Sequence, residues 1–177
     1  MDAPLGYDRK AWLKIRNANC EDCKLHVDTD TVCQTGLGVI TDDIWVVSKM
    51  PNSETYQKLI EDALQGVGID PSSVYYTSAL KCLSFDQDAS RSDIKACKKY
   101  FEQEVAMGKP KWMLVFGNEA LSISTGHSGI TKYRTQVIEK VIAGHKVKVI
   151  PTISPAAVNR NPGQKNSWYA DLQFLGS

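Results

Sequence analysis

No stretch of this 177-residue sequence holds eighteen consecutive apolar residues, so a membrane-spanning helix has nowhere to form. The first ten residues, MDAPLGYDRK, lack both the basic start and the apolar run of a secretory leader. Neither charge is in excess: 21 Lys+Arg stand against 20 Asp+Glu, so no overall acidic or basic coat selects the partners. Internal repeats, low-complexity tracts and linker-like runs are missing too. Histidine is scarce, and His26, His127 and His145 each stand apart from any nucleophile or base in the sequence, which leaves them ordinary loop roles. These absences predict one intracellular, cytoplasmic domain over residues 1–177, with 42% apolar residues to close a single core and no membrane partner.

Cysteine is plentiful by comparison. Five (Cys20, Cys23, Cys33, Cys82, Cys97) are many for an intracellular chain, and an odd number argues against a fully paired disulfide framework. Metal or cluster ligation is the leading expectation. Cys20 and Cys23 form a CxxC pair, while Cys82 and Cys97 fall at a strand end and on a helix. Four thiolates suit either a [4Fe-4S] cluster or a structural zinc ion, and spacing does not separate the two. Cys97 shares a helix face with Ile94 and Phe101, where a cysteine also packs as a small hydrophobe, and Cys33 is the spare.

Apolar periodicity predicts helices over 53–66, 92–107, 119–124 and 165–175, the first with Ser53 as its cap and Tyr56, Leu59, Ile60, Ala63 and Leu64 on its buried face. Short β-type runs at 44–47, 74–77 and 112–116 alternate with them, and 137–142 with 146–150 reads as a hairpin around Ala-Gly-His. Strand–helix alternation with crossover-length connections predicts an α/β three-layer sandwich around a central, mainly parallel, four-stranded sheet. Ligands in such sheets bind beyond the carboxyl ends of the strands, which nominates the loops at 48–52, 78–84, 117–118 and 152–160. Met50, Ser78 and Asn118 are the candidate substrate contacts on the first three. Charge is also uneven: residues 132–177 hold seven Lys/Arg and two acids, so this quarter suits a polyanion.

The residues that carry chemistry resemble the family 4 uracil-DNA glycosylases, over nearly the whole chain. CEDCKL at 20–25 resembles the opening CxxCxL, Gly36 and Gly38 the GxG that follows, and TSALKC at 77–82 the strand end usually written TNVVKC. SDIKAC at 92–97 resembles the helix with the last cluster cysteine. Most specific is PTISPAAVNRNP at 151–162, followed by Lys165, Trp168, Asp171 and Leu172, which resembles P-T-x-H-P-A-A-x-x-R-N-P and a final W-x-D-L helix. The resemblance implies a uracil-DNA glycosylase-like fold and a structural [4Fe-4S] cluster on Cys20, Cys23, Cys82 and Cys97. It also implies DNA as partner, contacted by Pro155, Ala156, Arg160 and Lys165, with Lys132, Arg134 and the hairpin lysines extending the track. Such enzymes extrude the nucleotide and hydrolyse its N-glycosidic bond through a cationic sugar. Related domains sit beside viral DNA polymerases, which implies a polymerase or other replication protein as partner, and a host's cytoplasm if the chain is viral.

The sequence departs from the family at the chemistry. Where the family has GExPG this chain has SKMPN at 48–52, so Lys49 replaces the acid. Two unit charges about 4 Å apart at an effective dielectric of ~20 interact by about 4 kcal/mol, so the inverted sign beside a cationic sugar is worth on the order of 10³-fold in rate. Ser154 replaces the histidine, Ser78 the base-reading asparagine, and Tyr56, the nearest aromatic to the lost stacking residue, fits the buried helix face. The expectation is a cluster-containing DNA-binding protein with little ordinary uracil excision, an accessory in replication or repair. The alternative is an active glycosylase for uracil or another damaged base in which Lys49 and Ser154 occupy the catalytic positions; Lys49 could then attack as a Schiff-base nucleophile. A third reading is a protein-interaction module with an acidic partner.

Overall fold

A computed structural model describes residues 6–15, 20–22, 36–82 and 90–175. Cys23, Cys33 and His26 lie outside the described residues. The chain runs α1 (Arg9–Ile15), β1 (Ile44–Ser48), α2 (Glu54–Gly66), β2 (Val74–Ser78), α3 (Arg91–Gly108), β3 (Trp112–Phe116), α4 (Asn118–Thr125), α5 (Ile130–Tyr133), β4 (Ile138–Ile142), β5 (His145–Thr152), α6 (Pro155–Arg160) and α7 (Lys165–Leu172). No helix among the described residues is long and apolar enough to cross a membrane.

The strands form one sheet in the order β2-β1-β3-β5-β4, parallel except for β4. The four expected parallel strands are therefore joined by a fifth, antiparallel edge strand. Its hairpin turn takes Ala143 and Gly144 through positive φ (51° and 77°), the twist that a two-residue connection requires. Because alternate side chains leave a strand on opposite faces, IWVVS and WMLVF feed two cores. Trp45, Val47, Met113 and Val115 pack with Ile94, Phe101 and Leu121 of α3 and α4, whereas Val46, Leu114 and Phe116 pack with Ile60 and Leu64 of α2, Val158 of α6 and Trp168 of α7. Three layers follow from that alternation.

Local signals set the helix ends. Ser53 accepts from the Tyr56 amide at the start of α2, and Ser90 and Asp93 make a reciprocal capping box at α3. The short α1 was not evident from periodicity.

Two buried polar networks hold the sheet's carboxyl edge. Lys81, 1% exposed, pairs with the fully buried carboxylate of Glu104 and donates to Thr77 Oγ1 and the Ser78 carbonyl, both at 2.7 Å. Tyr75 donates its hydroxyl to Glu104 Oε2 at 2.7 Å and accepts from the Gly36 amide at 2.9 Å. A side chain at position 36 would meet the Tyr75 ring 2.4 Å away, so only glycine brings the backbone that close. Across the sheet, Asp171 of α7 accepts from Thr152 Oγ1 at 2.6 Å and from Arg134 Nε at 2.7 Å.

Candidate active site

Strand order places β1 and β3 side by side at the sheet's centre, and their chains leave toward opposite layers, β1 into α2 and β3 into α4. A crevice opens at such a reversal, outside the carboxyl ends. Here it is a cavity of about 470 Å³ whose wall includes Ser48, Lys49 and Met50 after β1, Tyr56 of α2, Phe116 and Glu119 at the end of β3, and Ser154, Asn159 and Arg160 after β5. That volume lies in the range of small-molecule sites.

Each strand end is fixed by its neighbours. The Ala79 and Leu80 amides donate to the Ser48 and Lys49 carbonyls at 2.8 and 2.9 Å, clamping the loop after β2 onto the loop after β1. Gly117 ends β3 with φ +102°, and a Cβ there would sit 3.1 Å from Ser154 Cβ, so glycine both makes the turn and admits the third loop. Ser154 caps α6, its Oγ accepting from the Ala157 amide at 3.2 Å, which leaves the hydroxyl proton available to a ligand.

The sequence-nominated residues divide between this wall and other places. Lys49, Met50, Ser154, Pro155, Ala156 and Arg160 line the cavity together. Ser78 does not: it is 3% exposed and donates its hydroxyl to the Leu80 carbonyl at 2.6 Å. Asn118, the first residue of α4, turns its Oδ1 to the start of α5, accepting from the Gly129 and Ile130 amides at 3.2 and 2.7 Å. Arg134, expected on the DNA track, turns instead onto the buried Asp171, which compensates its charge. The hairpin lysines lie away from the cavity. Lys148 stands opposite Trp112, the first residue of β3, and packs over that ring at 5.0 Å, while Lys146 pairs with Glu139 at 3.6 Å. Four residues of strand, about 13 Å, separate Lys148 from Thr152 at the cavity end. Lys132 is exposed and lies over the Tyr133 ring, itself stacked on His127 at 4.6 Å.

Among the wall residues that sequence reasoning missed, Tyr56 and Glu119 carry the most chemistry. Tyr56, assigned to the buried helix face, is half-buried and faces the cavity. Glu119 carries an acid into the cavity, with Oε1 3.8 Å from Lys49 Nζ and side-chain exposures of 28% and 37%. Its place directly after the third strand end was the available signal.

A sequence profile of the Uracil DNA glycosylase superfamily matches residues 45–173, from β1 through the end of α7. The chain belongs to the uracil-DNA glycosylase superfamily. Among curated relatives, the type-4 uracil-DNA glycosylase of Pyrobaculum aerophilum is 25% identical over 175 residues, 89% of each chain. That of Archaeoglobus fulgidus is 25% identical over 174 residues, 89% of this chain and 87% of its own. Both carry the name of the type whose motifs the cysteines and residues 151–162 resemble.

Cys20, Cys82 and Cys97 are all buried and come from three separate segments into one core cluster. Cys20 Sγ receives the Tyr100 hydroxyl at 3.4 Å, and the same hydroxyl reaches Asp22 at 3.1 Å. Lys99, with Tyr100 and Cys20, holds the Asp22 carboxyl below the usual carboxylate range. Among the described residues no three His, Cys, Asp or Glu side chains converge to hold a metal ion, and Cys23 lies outside them. The three described cysteines, Cys20, Cys82 and Cys97, are buried free thiols, the residue type that ligates zinc or an iron-sulfur group.

Proposed function

We propose that the protein is a DNA-repair member of the superfamily that binds DNA over the carboxyl-end face of its sheet and excises ordinary uracil poorly. One observation carries the reading: Ser78, at the position where the family reads the base, commits its hydroxyl to Leu80. A pocket that hydrogen-bonds a base edge gains on the order of 10⁴-fold discrimination from such groups; a serine buried off the cavity wall, its proton already donated to its own loop, lacks the paired donor and acceptor of the amide it replaces. Lys49 in place of an acid works in the same direction. Single-turnover release of uracil from single- and double-stranded oligonucleotides tests this. A rate at least about 10³-fold below that of a type-4 enzyme is expected; comparable release overturns it.

DNA phosphates would be held by Arg160 and Lys165, with the exposed Lys132 extending the track and the backbone at Pro155 and Ala156 facing the strand. Cys20, Cys23, Cys82 and Cys97 would hold a [4Fe-4S] cluster, or zinc in its place, whose contribution is structural: it ties the segment at Cys20 to the loop after β2 and to α3. An absorbance near 400 nm in anaerobically purified protein is expected; a colourless protein with stoichiometric zinc decides for the alternative. A place beside a DNA polymerase or other replication protein belongs to the same reading and rests on the resemblance alone.

A second reading, retained hydrolysis of another damaged base, is favoured by the carboxylate of Glu119 in the cavity. The Schiff-base variant is not favoured. Lys49 is 37% exposed beside a carboxylate, the opposite of the desolvated setting near other cations that such a nucleophile needs.

A further inference from the structure

Among the described residues, Glu119 is the one acid on the cavity wall, and no motif nominated it. Its position is built. Gly117 ends β3 in a conformation only glycine takes readily, so α4 starts at once and its first turn turns Glu119 into the crevice between β1 and β3. The countercharge, Lys49, reaches across from the adjacent strand end at 3.8 Å. Tyr56 and Phe116 add aromatic surface to the same wall. On the same wall the Ser48 hydroxyl is 2% exposed and has no hydrogen-bond partner among the described residues, an unmet polar group where a ligand's polar edge would lie.

Cleavage of an N-glycosidic bond passes through a cationic sugar, and a carboxylate close to the reacting carbon stabilises that charge and takes a proton from the attacking water. We infer that Glu119 is the catalytic carboxylate of this cavity, carried on the strand end next to the one where Lys49 stands, and that Lys49 is its positioning partner. The inference rests on the reading that the protein retains glycosylase chemistry. In the step, the C1′–N bond breaks and its electron pair leaves with the base. The water oxygen bonds to C1′, and the proton it loses passes to the Glu119 carboxylate and on to solvent. The departing base takes up one proton from solvent.

The test is single-turnover base release by the full chain from oligonucleotides carrying uracil, hypoxanthine, xanthine or 5-hydroxymethyluracil, with Glu119→Gln and Glu119→Asp beside the wild type. Release from at least one lesion is expected. On that lesion Glu119→Gln should be slower by about 100-fold or more, while its affinity for the same oligonucleotide changes by less than about threefold. Glu119→Asp, which keeps the carboxylate, should fall between the two. A Glu119→Gln protein as fast as wild type overturns the inference and leaves the glycosylase reading standing. A wild type inert on every lesion overturns both.

Discussion

Replacing Glu104 by alanine strands the Lys81 ammonium in a site where that side chain is 1% exposed. Removing one partner of a buried pair costs about 3–5 kcal/mol, because the remaining charge keeps its desolvation and loses its compensation. Tyr75 and Thr77 also lose the acceptor of their hydroxyls, which adds about 1 kcal/mol each. The expected loss is therefore at the upper end, about 5 kcal/mol, a large share of the 5–15 kcal/mol that typical domains have in total. At about 2–4 °C per kcal/mol for a chain of this size, Tm should fall by about 10–20 °C. The damage should reach the cavity, since Ala79 and Leu80 link this loop to the backbone of Ser48 and Lys49. Urea and thermal denaturation of Glu104→Ala, Glu104→Gln, Lys81→Met and the Lys81→Met/Glu104→Gln double variant measure it. The double variant should recover at least half of the loss, because glutamine still accepts from both hydroxyls and no charge is left buried. A Glu104→Ala cost under about 1 kcal/mol, or strictly additive single changes, would refute the reasoning.

Other outcomes follow from neighbouring features. Arg160→Ala with Lys165→Ala should weaken DNA binding regardless of sequence and lower the slope of log affinity against log salt by about 2, measured by fluorescence anisotropy at several salt concentrations; an unchanged slope removes these residues from the phosphate track. Arg134→Ala should cost about 2–4 kcal/mol of stability, by chemical denaturation, because it leaves the fully buried Asp171 carboxylate with the Thr152 hydroxyl as its remaining side-chain partner. Alkaline pH should destabilise the fold. Burial, reinforced by Glu104, pushes the Tyr75 phenol well above its ordinary range, and burial with Glu61 pushes Tyr76 upward. Both stay protonated in the fold while the unfolded chain begins to ionise near pH 10, so their contribution is intact below that pH and is lost as pH rises through the folded values. The slope is about 1.4 kcal/mol per pH unit for each phenol, and a urea midpoint that stays level from pH 9 to 11 would contradict it.

Much of the sandwich was legible because its strands are short apolar runs and its helices carry their own caps. Ile44–Ser48, Val74–Ser78 and Trp112–Phe116 could be placed from composition, and Ser53 marks where α2 begins, whereas the Ser90 cap of α3 lies two residues before the start expected at Ser92. Of the four loops the strand-end rule nominated, those at 48–52 and 152–160 line the cavity, and those at 78–84 and 117–118 do not. What stayed hidden depends on side-chain direction, which loop sequence does not encode. Ser78 and Asn118 sit at the expected strand ends yet spend their polar atoms on nearby backbone. Arg134 finds Asp171 across 37 residues, and Lys81 finds Glu104 across 23, pairings that exist only once the layers close. Glu119 escaped notice because a lone acid after Gly117-Asn118 matches no motif; its meaning comes from Lys49 on the adjacent strand end.

The central claim is that DNA is bound over the carboxyl-end face of the sheet, at the cavity between the β1 and β3 strand ends. Hydrogen exchange of the full chain, with and without a lesion-bearing oligonucleotide, tests it most directly. Protection concentrated at residues 48–56, 117–121 and 154–165 is the predicted result. Protection confined to the hairpin at 138–148, with those loops unchanged, would contradict it.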